Sequence, residues 1–338
     1  MAMKDKILAR LSDAEDFVSG QQLCSEFGVS RTAVWKAVNR LKKEGYNIES
    51  VTNRGYRLRE GNDILSESEM QRFMKSSVIG RKVIVYDECD STNTRASQAA
   101  FAGEEEGLVI VSNRQTSGRG RRGRVWNSPE GVSVYMSILL RPKFVPGPAP
   151  RITLVAALAV AYAIDDLIEQ NTTDNTDNAA EKTRIKWPND ILIDEKKVCG
   201  ILSEIDCQID HINHLVVGIG INVLNRRFPS DIADKAGSIY SITGQKLNRN
   251  RLVVKVCEYF EKFYSIFQET ESIENLADKY NSKLINKDRG VVVLDSKGDY
   301  EGIARGVNNE GSLMVEIPGG MKFVSYGEVS VRGLNGYI

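Results

Sequence analysis

Three apolar stretches, TRIKW (183–187), VCGILSEI (198–205) and HLVVGIGINV (214–223), follow one another with very short connections. A crossover between parallel strands takes roughly a dozen residues or more, so these strands run mainly antiparallel. VIVYDEC, GLVIVSN and VSVYMSILL add strands upstream, and helices fit near 92–102, 150–169 and 249–268. The expected fold is therefore α+β with an antiparallel or mixed sheet. ITLVAALAVAYAI (152–164) is an Ala-rich apolar run, short of the roughly 18 residues that mark a membrane span, and reads as a buried helix. The polar stretch 171–182 has no period and reads as a flexible insertion without chemistry of its own. From residue 287 short strands recur at Lys297-Gly298-Asp299, Asn309–Gly311 and Pro318–Gly320, a rhythm that suggests an SH3-like β-barrel.

Residues 4–60 follow another pattern, three short helices and a hairpin. Gly28 closes the second helix, Ser30 is placed to cap the third, and Ala33, Val34, Ala37, Val38 and Leu41 give that third helix one buried face. YNIESVTNRGYRL then reads as two strands around an Asn53–Gly55 turn, a small wing. Lysines and arginines equal acidic residues, 45 against 45, over the whole chain. Any nucleic-acid surface must therefore come from local clustering. Val29–Arg59 provides it, with Arg31, Lys36, Arg40, Lys42, Lys43, Arg54, Arg57 and Arg59 against Glu44 and Glu49. Phosphates are the natural partner of such a winged helix-turn-helix, with Arg31, Thr32 and Lys36 placed for base edges and Arg40 and Arg54 beside them. The plainer alternative is a helical interaction domain with a solvated charged face.

Two segments carry small-molecule chemistry. GRGRRGRVWNSPEG (118–131) sets four arginines among glycines and ends at Trp126. Glycines let backbone N–H groups close on an anion while arginines supply fixed charge, so a loop that orders around an anionic ligand is expected. KWPNDILIDEKKVCGILSE (186–204) offers Lys186, Asp190, Lys197 and Gly200, which suit ATP-dependent activation of a carboxylic acid; a lysine-rich hairpin tip has the same spacing. VGIGINV lacks the third glycine of a dinucleotide fingerprint. Cys207, His211 and His214 lack an evident fourth ligand, so no zinc is expected. The chain's two histidines sit in one loop, and no Ser/His/Asp triad can be built. Five scattered cysteines without a C-x-x-C suggest reduced thiols and a cytoplasmic setting. MAMKDKILARLSD is neither a secretory signal nor a membrane anchor.

STN (91–93), RQTSGRGRRGRVWNSPEG, KWPND, KVCGIL and GIGIN, in this order, resemble the bifunctional biotin–protein ligase and biotin-operon repressor family. The resemblance implies a winged helix-turn-helix over 1–62, a ligase domain over 63–286 and an SH3-like domain over 287–338. Ser91, Thr92, Asn93 and Gln115 would contact the biotin rings, and Arg119, Gly120 and Arg121 would belong to the loop closing over biotin and its adenylate. Trp126 would pack on the valeryl chain or the adenine, and Asn222 and Arg121 would meet the nucleotide. Lys197 would neutralise the biotin carboxylate and the α-phosphate, and Asp190 would help to hold Mg²⁺. The implied reaction forms biotinyl-5'-AMP from biotin and ATP and transfers biotin to a lysine of a biotin carboxyl carrier protein. The implied repressor is a homodimer, loaded with that adenylate, on the operator of biotin genes. A lipoate or octanoate ligase, a ligand sensor that binds without catalysis, and a ligase without repression whose N-terminal domain is an interaction module are the alternatives.

Overall fold

Helices α1 (Met3–Ser12), α2 (Gly20–Phe27) and α3 (Arg31–Lys43) precede a hairpin of β1 (Ile48–Val51) and β2 (Gly55–Leu58). The structure, a computed structural model, describes residues 3–14, 16–43, 45–59, 63–172, 182–295, 298–326, 330–334 and 336–338. A capping box starts α2: Ser19 Oγ accepts the Gln22 amide at 3.1 Å, and Gln22 Oε1 accepts the Ser19 amide at 2.8 Å. Gly28, at φ 65°, ends it. Ser30 Oγ accepts the Ala33 amide at 3.2 Å at the head of α3. Ile7, Leu11, Leu23, Val34, Val38 and Leu41 form the core. The wing turn is where the sequence put it: Asn53 and Gly55 both have positive φ, and a Cβ on Gly55 would run into the Val18 carbonyl. This unit, Met1–Arg72, is compact in itself, as is Phe73–Ile338. Helix α4 (Glu67–Phe73) follows the hairpin.

The second unit is built on a seven-stranded sheet. In chain order it contains β3 (Val83–Tyr86), α5 (Thr92–Phe101), β4 (Val109–Ser112), β5 (Ser133–Leu140), α6 (Ile152–Gln170), β6 (Arg184–Lys186), β7 (Asp190–Ile193), β8 (Lys196–Cys207) and β9 (Ile212–Asn222). The strand order is β3-β4-β5-β9-β8-β7-β6. Only β3 and β4, separated by α5, pair in parallel; the other pairs are antiparallel, the mixed sheet expected. Helix α6 is buried on nearly every side, as its lack of a polar face requires. It packs with α8 (Arg249–Thr270), which follows the short α7 (Ile239–Thr243). Phe260, Phe263 and Phe267 of α8 are fully buried. Glu261 Oε2 accepts the Val78 and Ile79 amides at 2.7 and 2.8 Å, and Oε1 accepts the Ser77 amide at 2.8 Å. Among the described residues no helix is long and apolar enough to cross a membrane.

The sequence pattern alone does not separate strand β7 from its neighbours. It is joined to β8 through Asp194 and Glu195, both at positive φ, 47° and 58°. Two left-handed residues make a tight hairpin that usually contains glycine, and without one the turn left no signal. After α9 (Ala277–Lys283) come β10 (Arg289–Leu294), β11 (Tyr300–Val307), β12 (Leu313–Ile317), β13 (Gly320–Val324) and β14 (Ser330–Gly333). They form the antiparallel sheet β13-β12-β11-β10-β14 of an SH3-like domain. The expected turn 309–311 lies between strands, and that at 318–320 lies between β12 and β13 with Gly320 opening β13; residue 297 of the third lies outside the described residues, as does most of the insertion at 171–182.

Candidate active site

A cavity of about 790 Å³ opens over strands β9, β8, β7 and β6 of the seven-stranded sheet. Its floor is made of missing side chains. A Cβ on Gly220 would stand 2.6 Å from Trp126 Nε1, one on Gly200 would stand 3.0 Å from Trp126 Cζ3, and one on Gly218 would stand 2.8 Å from Asn93 Cγ. The glycines of β8 and β9 thus admit Trp126 and Asn93 onto the strand backbone. The indole Nε1 is buried and has no hydrogen-bond partner among the described residues.

At one end the start of α5 is tied to the sheet by a polar network. The Thr92 amide and hydroxyl donate to Gln115 Oε1 at 2.8 and 3.2 Å, and Gln115 Nε2 donates to Ser128 Oγ at 3.0 Å. Ser137 Oγ of β5 lies 2.8 Å from Thr92 Oγ1 and 2.6 Å from Asn93 Oδ1. Asn93 Nδ2 donates to Leu202 O at 3.3 Å and to Glu204 Oε2 at 2.7 Å. Ser91, Thr92 and Asn93 are all buried. Fixed donors and acceptors at a cavity wall recognise a polar ring by matching it without rearrangement.

The arginine–glycine segment forms one wall. The Gly120 amide donates to Arg124 O at 2.7 Å and the Trp126 amide to Gly118 O at 2.9 Å. Arg122 and Gly123 take positive φ, 58° and 71°, so the segment doubles back on itself. Arg119 Nη2 reaches Glu204 Oε2 at 3.0 Å and Thr94 Oγ1 at 3.3 Å. Arg121 Nη1 donates to Asn189 Oδ1 at 3.0 Å, and burial lowers its guanidinium pKa.

At the opposite end Lys197 Nζ lies 2.6 Å from Asp190 Oδ1. The bulge in the β7–β8 pairing between Ile191 and Leu192 falls beside Lys197. Burial pushes the Asp190 carboxyl up, but the charges of Lys197 and Lys186 and the bonds from Lys197 and Tyr337 outweigh it and hold the group below the usual carboxylate range. Lys186 is buried, its ammonium 3.4 Å from the centre of the Tyr337 ring, and desolvation brings its pKa down to about 8 against the opposing pull of Asp190. Asn222 also lines the cavity; its Nδ2 donates to Gly237 O at 3.1 Å. Eight cationic side chains line the space, those of Arg119, Arg121, Arg122, Arg124, Lys186, Lys197, Lys235 and Arg332, against the carboxylates of Asp190 and Asp231. Such a lining suits a ligand with several negative charges.

All the residues expected for biotin, nucleotide and metal therefore line one cavity. Four residues that line the cavity or bond to its lining were not foreseen. Glu204 carries a sequence signal, since it shares a strand face with Gly200 and Leu202 at the period of two. Lys235, Arg332 and Tyr337 arrive only through tertiary folding. Cys207, His211 and His214 do not converge: Cys207 is exposed, His211 pairs with Asp210, and His214 is buried with Nε2 3.1 Å from Ser97 Oγ. Cys199 and Cys257 are buried and their thiols pushed up by desolvation.

In the first unit Arg31, Thr32, Lys36 and Arg40 are exposed on α3. Arg54, at the wing turn, donates to Asp16 at 3.2 and 3.3 Å, and its guanidinium lies 4.3 Å above the Phe17 ring. The wing cation is thereby held against its own unit.

Residues 85–222 match the biotin/lipoate A/B protein ligase family, residues 4–57 a helix-turn-helix domain and residues 288–332 the biotin protein ligase C-terminal domain. The bifunctional ligase/repressor BirA of Bacillus subtilis is 36% identical over 97% of this chain and 98% of its own length. The chain belongs to the bifunctional biotin ligase/repressor family. It is a ligase and a repressor in one polypeptide. The Escherichia coli member of the family is 30% identical, over 97% of this chain and 96% of its own. The biotin protein ligase of Aquifex aeolicus, solved in complex with biotin and ATP, superposes at a TM-score of 0.61 with 31% identity, covering 75% of this chain and 99% of that one. Similarity to the family's ligase/repressors thus spans nearly the whole chain.

Proposed function

We propose that the cavity of the second unit takes biotin and ATP, condenses them to biotinyl-5'-AMP and passes the biotinyl group to a lysine of a biotin carboxyl carrier protein. One observation carries this reading: a neutral polar network at Thr92, Asn93 and Gln115 and a cationic end at Lys186 and Lys197 share one cavity. The first fits the fused rings, the second the carboxylate and the phosphates. A carboxylate oxygen of biotin attacks the α-phosphorus of ATP and pyrophosphate leaves. Lys197 and Arg121 offset the negative charge that builds on the phosphoryl oxygens. The neutral acceptor amine then attacks the acyl carbon, AMP leaves with the bonding electrons, and the amine loses a proton as the amide forms. Trp126 and the arginine–glycine segment exclude water from the mixed anhydride. Asp190 is the largely buried carboxylate at this end and, together with the phosphates, would hold a Mg²⁺ ion, which when bound would neutralise triphosphate charge.

The first unit is proposed to bind the operator of biotin genes through α3 and the wing, with the adenylate as corepressor and a homodimer as the binding species. An edge of the sheet supports the dimer. Strand β7 pairs only with residues 196–200 of β8, so among the described residues Ser203–Cys207 has no strand on that side, and Ile205 there is 44% exposed. Glu204 lies on this edge and holds Arg119 of the ligand-binding segment, which gives a ligand a short path to the edge. The five unpaired cysteines support a reducing, cytoplasmic setting.

The test is incubation with biotin, Mg²⁺ and α-labelled ATP without acceptor. A retained labelled adenylate that forms with biotin and not with lipoate or octanoate is the expected result. Its absence overturns the ligase reading and leaves a binding-only sensor.

A further inference from the structure

After β14 the chain turns back on itself. The Gly336 amide donates to Gly333 O at 3.4 Å, and a Cβ on Gly333 would collide with the Ile338 carbonyl. Close backbone approach thus fixes this segment, and Tyr337 projects from it into the cavity lining. Its hydroxyl donates to Asp190 Oδ2 at 2.6 Å while Lys197 holds Oδ1 at 2.6 Å. The face of its ring covers the Lys186 ammonium at 3.4 Å, a cation–π contact inside a desolvated site. One side chain from outside the seven-stranded sheet therefore touches both the carboxylate and the buried lysine of the cationic end.

We infer that Tyr337 is a positioning residue for the metal–triphosphate: it fixes the plane of the Asp190 carboxylate and the direction of the Lys186 ammonium. A carboxylate held by one partner can still turn about its Cβ–Cγ bond. With a hydrogen bond on Oδ2 and the Lys197 ammonium in ion-pair contact with Oδ1 that rotation is opposed, and each oxygen keeps a second lone-pair direction for a cation. Carboxylate and ammonium are held by different parts of the same side chain, the hydroxyl and the ring face, so the two effects can be separated. Tyr337→Phe removes the bond to Asp190 and keeps the cation–π contact. Tyr337→Ala removes both.

The inference rests on the nucleotide site proposed above. The experiment is calorimetric binding of a non-hydrolysable ATP analogue to the full chain, with and without Mg²⁺, and of biotin alone as a control. In Tyr337→Phe the Mg²⁺-dependent part of analogue affinity falls about tenfold or more, the usual loss when a partner that orients a metal-binding carboxylate is removed, and Mg²⁺-free affinity stays. In Tyr337→Ala the Mg²⁺-free affinity falls as well. Biotin affinity stays within about twofold in both, and in turnover the effect falls on KM for ATP more than on kcat. Unchanged or tighter analogue binding in both variants overturns the inference, since the tyrosine is then a bystander or an obstruction. A parallel loss of biotin affinity overturns it too, because the role is then general packing. Failure of the unaltered chain to bind the analogue sinks the nucleotide site itself, a distinct result.

Discussion

Gly218 of β9 lies directly beneath Asn93, and the three nearest atoms to a Cβ placed there all belong to that asparagine, with Cγ at 2.8 Å and Nδ2 at 2.9 Å. Its φ is not in the left-handed region, so Gly218→Ala meets no backbone obstacle, only the side chain above it. Ordinary contact begins near 3.4 Å, so Asn93 must move and release Ser137, Leu202 O and Glu204. Two neutral bonds at about 1 kcal/mol each and one to a carboxylate at about 1.5–3 kcal/mol put the cost at roughly 3–5 kcal/mol. Asn93→Ala loses the same bonds and costs about as much. The double variant then behaves unlike a sum: with the side chain gone, the new methyl group fits, and replacing glycine in a strand returns roughly 0.5–1 kcal/mol. The double variant is thus no less stable than Asn93→Ala, and the coupling energy is about 3 kcal/mol or more. Urea unfolding followed by the fluorescence of Trp126 and Trp187 measures it, together with biotin affinity, which falls in both single variants. Additive losses in the double variant would refute the geometric argument.

Three further outcomes follow from other contacts. Lys197→Met is expected to slow adenylate formation by about 10²–10³-fold in single-turnover assays, and an unchanged rate would remove Lys197 from the chemistry. Arg31→Ala and Lys36→Ala should each weaken operator binding; a residue that touches phosphate also lowers the salt slope by about one, whereas a flat response at both would point away from α3 as the DNA-reading helix. Burial holds His214 below the ordinary imidazole range, with Asp206 opposing, so the unfolded chain accepts a proton below about pH 6.5 that the folded chain resists. The stability from that group is complete above this pH and is lost as pH falls toward the folded pKa. Melting temperatures of the unaltered chain should drop faster between pH 7 and 5 than those of His214→Asn; equal slopes would contradict the reading.

Where local pattern and tertiary demand agree, the structure was readable from the chain. The buried face of α3 follows from its helical spacing, the wing turn from Asn53 and Gly55, and the core strands β5 and β9 from runs rich in apolar residues. β7 was missed because Asp194 and Glu195 make a left-handed turn without glycine. The site divides the same way. Residues carried in compact motifs, from Ser91 to Asn222, converge on one cavity, because a glycine floor and a doubled-back loop are local devices. Tyr337, Arg332 and Lys235 reach that cavity through the packing of separate elements, and no period or spacing announces a contact between residues 190 and 337.

Glu261 gathers the amides of Ser77, Val78 and Ile79 across more than 180 residues of chain, which sets an order of completion during synthesis. The core of the first unit is complete once Ile64 has been made, so it can fold while the ribosome is still working. The beginning of the second unit waits for residue 261, and the cavity lining waits for Tyr337. At about 5–20 residues per second the interval is some tens of seconds. During it the chain carries a finished helix-turn-helix and no complete cavity, so each new molecule passes through a period in which the first unit is folded while the second has no finished ligand site.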